Sequence, residues 1–104
     1  MDVQEVWALL EQHQGEQFYT AKCLPFCYII RGGELFVNRR SKSITISTVA
    51  AALQKIAARQ AAGEAVTGPK KIGCYGASYL YPMFLNLGII PQPETGKEIL
   101  GNTA

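Results

Sequence analysis

The chain of 104 residues predicts a small α+β domain: an N-terminal helix, a small antiparallel sheet around a Gly-Gly hairpin, and two C-terminal helices. Three observations predict it. Apolar residues recur at helical spacing within residues 3–13, and two strand-like runs flank Gly32-Gly33 in "PFCYIIRGGELFVNR". Helical spacing then returns after residue 48 and again after residue 77. A chain of this length is enough for one domain with a single core. The domain is expected over residues 1–90, with 91–104 as a partly ordered tail.

The first helix rests on Val3, Val6, Trp7 and Leu10, which fall on one stripe at i, i+3, i+4 and i+7. Asp2 followed three residues later by Glu5 forms a capping-box pattern, and both carboxylates suit the positive end of the helix dipole. Gly15 is the expected stop.

The hairpin follows from Gly32-Gly33, because a two-residue loop with positive φ at both positions suits two glycines. The resulting register pairs Arg31 with Glu34, Ile30 with Leu35, Ile29 with Phe36 and Tyr28 with Val37, setting opposite charges beside the turn. One face then holds Phe26, Tyr28, Ile30, Leu35 and Val37; the other holds Cys27, Ile29 and Phe36. Both faces are apolar, where a sheet with one wet face alternates more cleanly. Something is therefore expected to cover each side. "EQFYTAK" is expected to add a third strand at the edge.

After the hairpin, Ile44 to Ser47 read as a short extended segment. Ser47 or Thr48 is the expected cap of a helix over about 48–62, with Val49, Ala52, Leu53, Ile56 and Gln60 inward and Gly63 as its stop. The last helix, near 77–87, rests on Leu80, Phe84 and Leu87. Ser78 is its expected cap, with Pro82 late in the first turn, and Gly88-Ile89 as a glycine stop with a hydrophobic contact.

Charge is distributed unevenly. Residues 1–16 carry −4, residues 17–71 carry +7 and residues 72–104 carry −1, which together give the net +2. Seven cations face one acid across residues 35–71: Arg39, Arg40, Lys42, Lys55, Arg59, Lys70 and Lys71 against Glu64. In "NRRSKSITISTV" the first three stand among Asn38, Ser41 and Ser43, and side chains of these types make most phosphate contacts in nucleic-acid complexes. The competing reading is that loops need polar residues and cations keep a small domain in solution. Tyr75, Tyr79, Tyr81 and Phe84 cluster beside Lys70 and Lys71. Aromatics among cations suit stacking on exposed bases, and equally suit packing of a helix on a sheet. Packing is expected for Leu80 and Phe84, and both readings stand for Tyr79 and Tyr81.

Other chemistry finds little support. "GPKKIG" lacks the Lys-Ser/Thr pair a phosphate loop requires, since Cys74-Tyr75 follows. "GCYG" matches the GXXG of KH-type RNA binders in glycine spacing only, without basic residues between the glycines. Cys23 and Cys27, if extended, would stand roughly 13 Å apart, too far for a disulfide. With Cys74 and the lone His13 they make no recognised zinc spacing. Three cysteines also fit a chain that keeps its thiols reduced. No paired carboxylates or Ser-His arrangement can be assembled. Cys74, near Lys70 and Lys71, is the least implausible candidate for a catalytic thiol, with no base standing out beside it. No catalytic residue, metal or cofactor is therefore expected. An acidic N-terminus with no basic lead into an apolar run, and no stretch near the roughly 20 apolar residues of a membrane span, point to a cytoplasmic protein without a membrane partner.

The segments "FYTAKCLPFCYIIRGGELFVNRRSKSITISTVAAAL" and "GASYLYPMFL" resemble small bacterial and phage domains of uncharacterised function, in which a compact hairpin ends in a basic, Ser-rich turn leading to a helix. The resemblance implies the α+β fold and carries no catalytic residues. The expected function is a non-enzymatic nucleic-acid-binding accessory or regulatory module. Its phosphate contacts would come from Arg39, Arg40, Lys42, Lys55, Arg59, Lys70 and Lys71, with Ser41 and Ser43 adding hydrogen bonds. The alternative is a homodimeric protein-interaction module using the second apolar face of the hairpin.

Overall fold

A computed structural model describes residues 2–91. Three α-helices and two small antiparallel sheets occur among them, in an α+β arrangement. Helix α1 spans Val3–Gln12, and its capping box forms as the sequence predicts: the Asp2 side chain accepts from the Glu5 amide, and Glu5 accepts from the Asp2 amide. Val6, Trp7 and Leu10 are buried, with Val3 at the margin.

Strands β1 (Phe18–Tyr19) and β2 (Pro25–Phe26) form a two-stranded ribbon. Strands β3 (Tyr28–Arg31), β4 (Glu34–Val37) and β5 (Ile44–Thr45) form a sheet in that order. The hairpin register is the predicted one at all four pairs, although of the two turn glycines only Gly32 takes a positive φ (61°). The third strand is not. "EQFYTAK" pairs with Pro25–Phe26 in its own ribbon, and β5 takes the position beside β4. The reason lies at the free edge of β3, which the turn after α1 already occupies. The Gly15 amide donates to the Tyr28 carbonyl (2.9 Å), and the Ile30 amide donates to the Gln14 side-chain carbonyl (2.9 Å). An edge whose outward groups are satisfied has little to offer another strand.

Helix α2 spans Ile46–Ala61, two residues earlier than the sequence suggests. Thr45 is its cap, in place of Ser47 or Thr48, with the Thr45 hydroxyl accepting from the Thr48 amide (3.3 Å). The chain leaves the sheet at that residue, because the Ile46 amide makes its bond to the Gly33 carbonyl and the ladder ends. Val49, Ala52 and Ile56 are buried, whereas Gln60 points to solvent and does not extend the inner line. A single 3₁₀ turn at Pro69–Lys71 precedes helix α3, Ala77–Asn86.

Helix α3 starts without a side-chain cap, on Gly76 in the left-handed region (φ 77°) rather than on Ser78. Pro82 consequently lies in the second turn, where its missing N–H leaves the Ser78 carbonyl without its helical partner. The end of α3 is a Schellman motif: Ile89 N–H bonds the Phe84 carbonyl (2.8 Å) and Gly88 N–H the Leu85 carbonyl (3.3 Å).

The core gathers one face of every element. Phe18 stacks on Phe26 (5.8 Å between centroids), and Tyr79 of α3 meets Phe26 edge-on at 5.0 Å, so the ribbon and α3 are joined by aromatic contact. Tyr28 is buried and its hydroxyl donates to the Leu10 carbonyl (2.6 Å), tying β3 to α1. The outer face of the hairpin departs from expectation. Ile29 is 42% exposed, and Phe36 and Cys27 are half-buried, so nothing among the described residues fully covers that side. Apart from Pro91, the expected C-terminal tail lies outside the described residues.

Candidate nucleic-acid interface

The turn between β4 and β5 carries Arg39, Arg40, Ser41, Lys42 and Ser43. All but the half-buried Ser43 are exposed. Two of its cations lie over aromatic rings of the α3 region. The Lys42 ammonium is 4.6 Å from the centre of the Tyr75 ring, and the Arg40 guanidinium 5.7 Å from that of Tyr79. The Tyr75 hydroxyl donates to the Lys42 carbonyl (3.0 Å), which fastens the turn to the start of α3.

Helix α2 brings its cations to the same segment. A Cβ built on Gly73 would lie 3.5 Å from the Lys55 Nζ. Arg59 Nε donates to the Lys71 carbonyl (2.7 Å). Arg40, Lys42, Lys55 and Arg59 thus each approach the same segment of chain, at residues 79, 75, 73 and 71. That segment itself supplies Lys70, exposed, and Lys71, half-buried. Three separate parts of the sequence are joined in this way.

Their electrostatic freedom differs. Arg59 is paired with Glu64 (2.7 Å), so much of its charge is balanced within the protein. Ser43 donates to Glu34 (2.6 Å), which engages its hydroxyl hydrogen. Arg39, Ser41 and Lys70 are exposed and make no side-chain hydrogen bond or ion pair among the described residues. Three of the four acids of residues 1–16 have partners of their own. Asp2 and Glu5 serve the capping box, Glu16 binds His13 Nδ1 (2.9 Å), and α1 packs on the Ala50, Leu53 and Ala57 side of α2. Lys55 and Arg59 lie on a different stripe, bordering a shallow open depression floored by Ala51, Ala58 and Ala62.

The tyrosines left open by sequence resolve as core. Tyr79 and Tyr81 are 7% and 8% exposed, whereas Tyr75 of the same cluster is 38% exposed. Sequence places Tyr75 beside Lys70 and Lys71; its partner in space is Lys42, 33 positions away, and no local spacing could signal that contact. Cys74 is half-buried, and burial raises its thiol above the usual value, with the nearby Lys55 pulling the other way by less. That is the opposite of an activated nucleophile. Among the described residues no three His, Cys, Asp or Glu side chains converge as metal ligands would, and no helix is long and apolar enough to cross a membrane. Comparison with protein-family models, with curated proteins and with solved structures finds no match for this chain.

Proposed function

We propose that this protein is a cytoplasmic, non-enzymatic nucleic-acid-binding module, accessory or regulatory in role, that contacts phosphates through the cation row. The observation that carries the reading is the approach of Arg40, Lys42, Lys55 and Arg59 to the same segment of chain, at residues 79, 75, 73 and 71. Cations from three segments then act on one polyanion together, and such contacts dominate affinity for nucleic acid. Arg39, Lys70 and Lys71 extend the row, and Ser41 adds an exposed hydroxyl.

Salt dependence tests it. Each duplex phosphate neutralised contributes about 0.9 to the slope of log affinity against log salt. With Arg59 held by Glu64, six cations remain, so the slope should be no steeper than about 5. Lys55→Gln and Lys70→Gln should each reduce it by about 1. Absence of binding to DNA at low salt removes the proposal.

A second reading has its own support in the outer face of the hairpin. Ile29 and Phe36 share that side by register, with Cys27 preceding them in the alternation, and Ile29 is 42% exposed. Arg31 stands at its end beside Glu34 and forms no ion pair among the described residues. A second copy related by a two-fold axis would cover the apolar patch and bring Arg31 of each protomer to Glu34 of the other. Sedimentation equilibrium at micromolar concentration tests it, and a purely monomeric mass rejects it.

A further inference from the structure

Resting on the nucleic-acid reading above, we infer that the partner of the cation row is duplex DNA rather than a single strand, with the exposed stripe of α2 lying against it. Proteins that hold single strands combine a basic groove with open aromatic faces on which successive bases stack. The sequence offers such aromatics beside the cations, and the fold withdraws them. Tyr79 is buried against Phe26 and lies near the Arg40 guanidinium. Tyr81 is buried as well. Tyr75 keeps some exposure, but the Lys42 ammonium sits over its ring and its hydroxyl is bound to the Lys42 carbonyl. Of these three rings only Tyr75 keeps appreciable exposure, and one of its faces is already taken by Lys42. Tyr19, the most exposed aromatic there, belongs to the β1–β2 ribbon.

What the surface does present is charge around a slender helix. The open side of α2 carries Ala51, Gln54, Lys55, Ala58 and Ala62, bordered by Arg59 and by Glu64, whose charge Arg59 balances. The alanines leave part of that side slender, and an α-helix fits the roughly 12 Å major groove of B-form DNA. Sixteen residues give α2 a length of about 24 Å, enough to follow a groove for part of a turn. The exposed cations Arg39, Arg40, Lys42 and Lys70 supply further charge for phosphates. Duplex DNA also carries a phosphate charge every 1.7 Å or so of its axis, which favours a partner that binds by charge alone. An A-form RNA helix has a deep, narrow major groove that would not admit α2.

Fluorescence anisotropy of the full chain at low salt decides between these partners, using one labelled DNA duplex, its separated strands and the matching RNA duplex. The DNA duplex should bind about tenfold more tightly than either strand or the RNA, with a salt slope near 0.9 per phosphate rather than the 0.7 or so of single strands. Equal or tighter binding of the strands overturns the inference while leaving the nucleic-acid reading intact. Equal binding of the RNA duplex overturns entry of α2 into a B-form groove. No binding to any of the three overturns the underlying reading and this one with it. Ala58→Glu adds a second readout, since residue 58 is exposed and the helix should keep its circular dichroism. It should weaken the DNA duplex complex by about tenfold or more; unchanged affinity places α2 outside the interface and overturns its role.

Discussion

A Cβ on Gly76 would lie 2.5 Å from Ile44 Cδ1 and 2.8 Å from its Cγ1, so the start of α3 presses against β5 with no room for a methyl group. Ile44 is buried at 2% exposure and β-branched, which restricts its rotamers. Gly76 also has φ 77°, a region unfavourable for any residue with a side chain. Gly63 shares the backbone problem (φ 82°) without the steric one, since nothing lies within 4 Å of its Cβ position. Gly63→Ala should therefore cost about 1 kcal/mol and Gly76→Ala about 2 kcal/mol more, read from urea unfolding midpoints. Equal costs would show that the contact with Ile44 is soft. Tyr28 gives a second prediction at this scale. Burial, with the Glu16 carboxylate adding to it, holds its phenol well above the ordinary value of 10.0. The folded state thus keeps the proton more tightly than the unfolded chain. The stabilisation is complete below about pH 10 and is lost as pH rises beyond it. Tyr28→Phe should cost about 1 kcal/mol at neutral pH through the lost bond to the Leu10 carbonyl. It should also flatten the decline in stability between about pH 10 and 11. An unchanged alkaline decline would assign that loss to other groups, among them Tyr81, which burial also raises.

Elements are legible in the sequence where one local signal decides them. The hairpin register follows from Gly32-Gly33 alone, and the capping box from Asp2 and Glu5, because both are set within a few residues. The third strand is not legible, since its place depends on Gln14 and Gly15 reaching a β3 edge some fifteen residues away. The start of α2 is a subtler case. Thr45, Ser47 and Thr48 are all competent caps, and the choice falls to the residue at which the chain leaves the sheet. Their hydroxyls then gather: Thr45 Oγ1 lies 3.0 Å from Ser47 Oγ and 3.1 Å from Thr48 Oγ1. Only Thr45 accepts a first-turn amide, so Thr45→Ala should cost about 1 kcal/mol. Ser47→Ala, exposed and without that role, should change stability by less than about 0.5 kcal/mol. Thermal unfolding of the two variants checks the pair, and a reversed order would move the helix start to where the sequence suggests it.

At the scale of the molecule, the basic segment around Arg39 and Lys42 is visible in sequence as charge, but its convergence with Lys55 and Arg59 is not. Those contacts run through Tyr75, Gly73 and the Lys71 carbonyl, which no periodicity links to residues 39–43. The fold also separates two surfaces that the sequence interleaves. The cations approach residues 71–79, whereas the outer hairpin face is built by Cys27, Ile29 and Phe36, and the two share no residue. A change on one should therefore leave the other intact, which sites far apart with no shared partner generally obey. Ile29→Lys puts a charge in the middle of the apolar face at a position already 42% exposed, so the monomer should fold with little loss. Any self-association through that face should be abolished, because a cation buried without a partner costs far more than the lost apolar contact contributes. The salt slope for DNA, counted per protomer, should stay unchanged, because residue 29 adds no charge to the row. Sedimentation and anisotropy on the same preparation give both readouts. A variant that loses its dimer and also loses slope would mean that the cations of two protomers form one continuous surface, and the two readings of this protein would then be a single one.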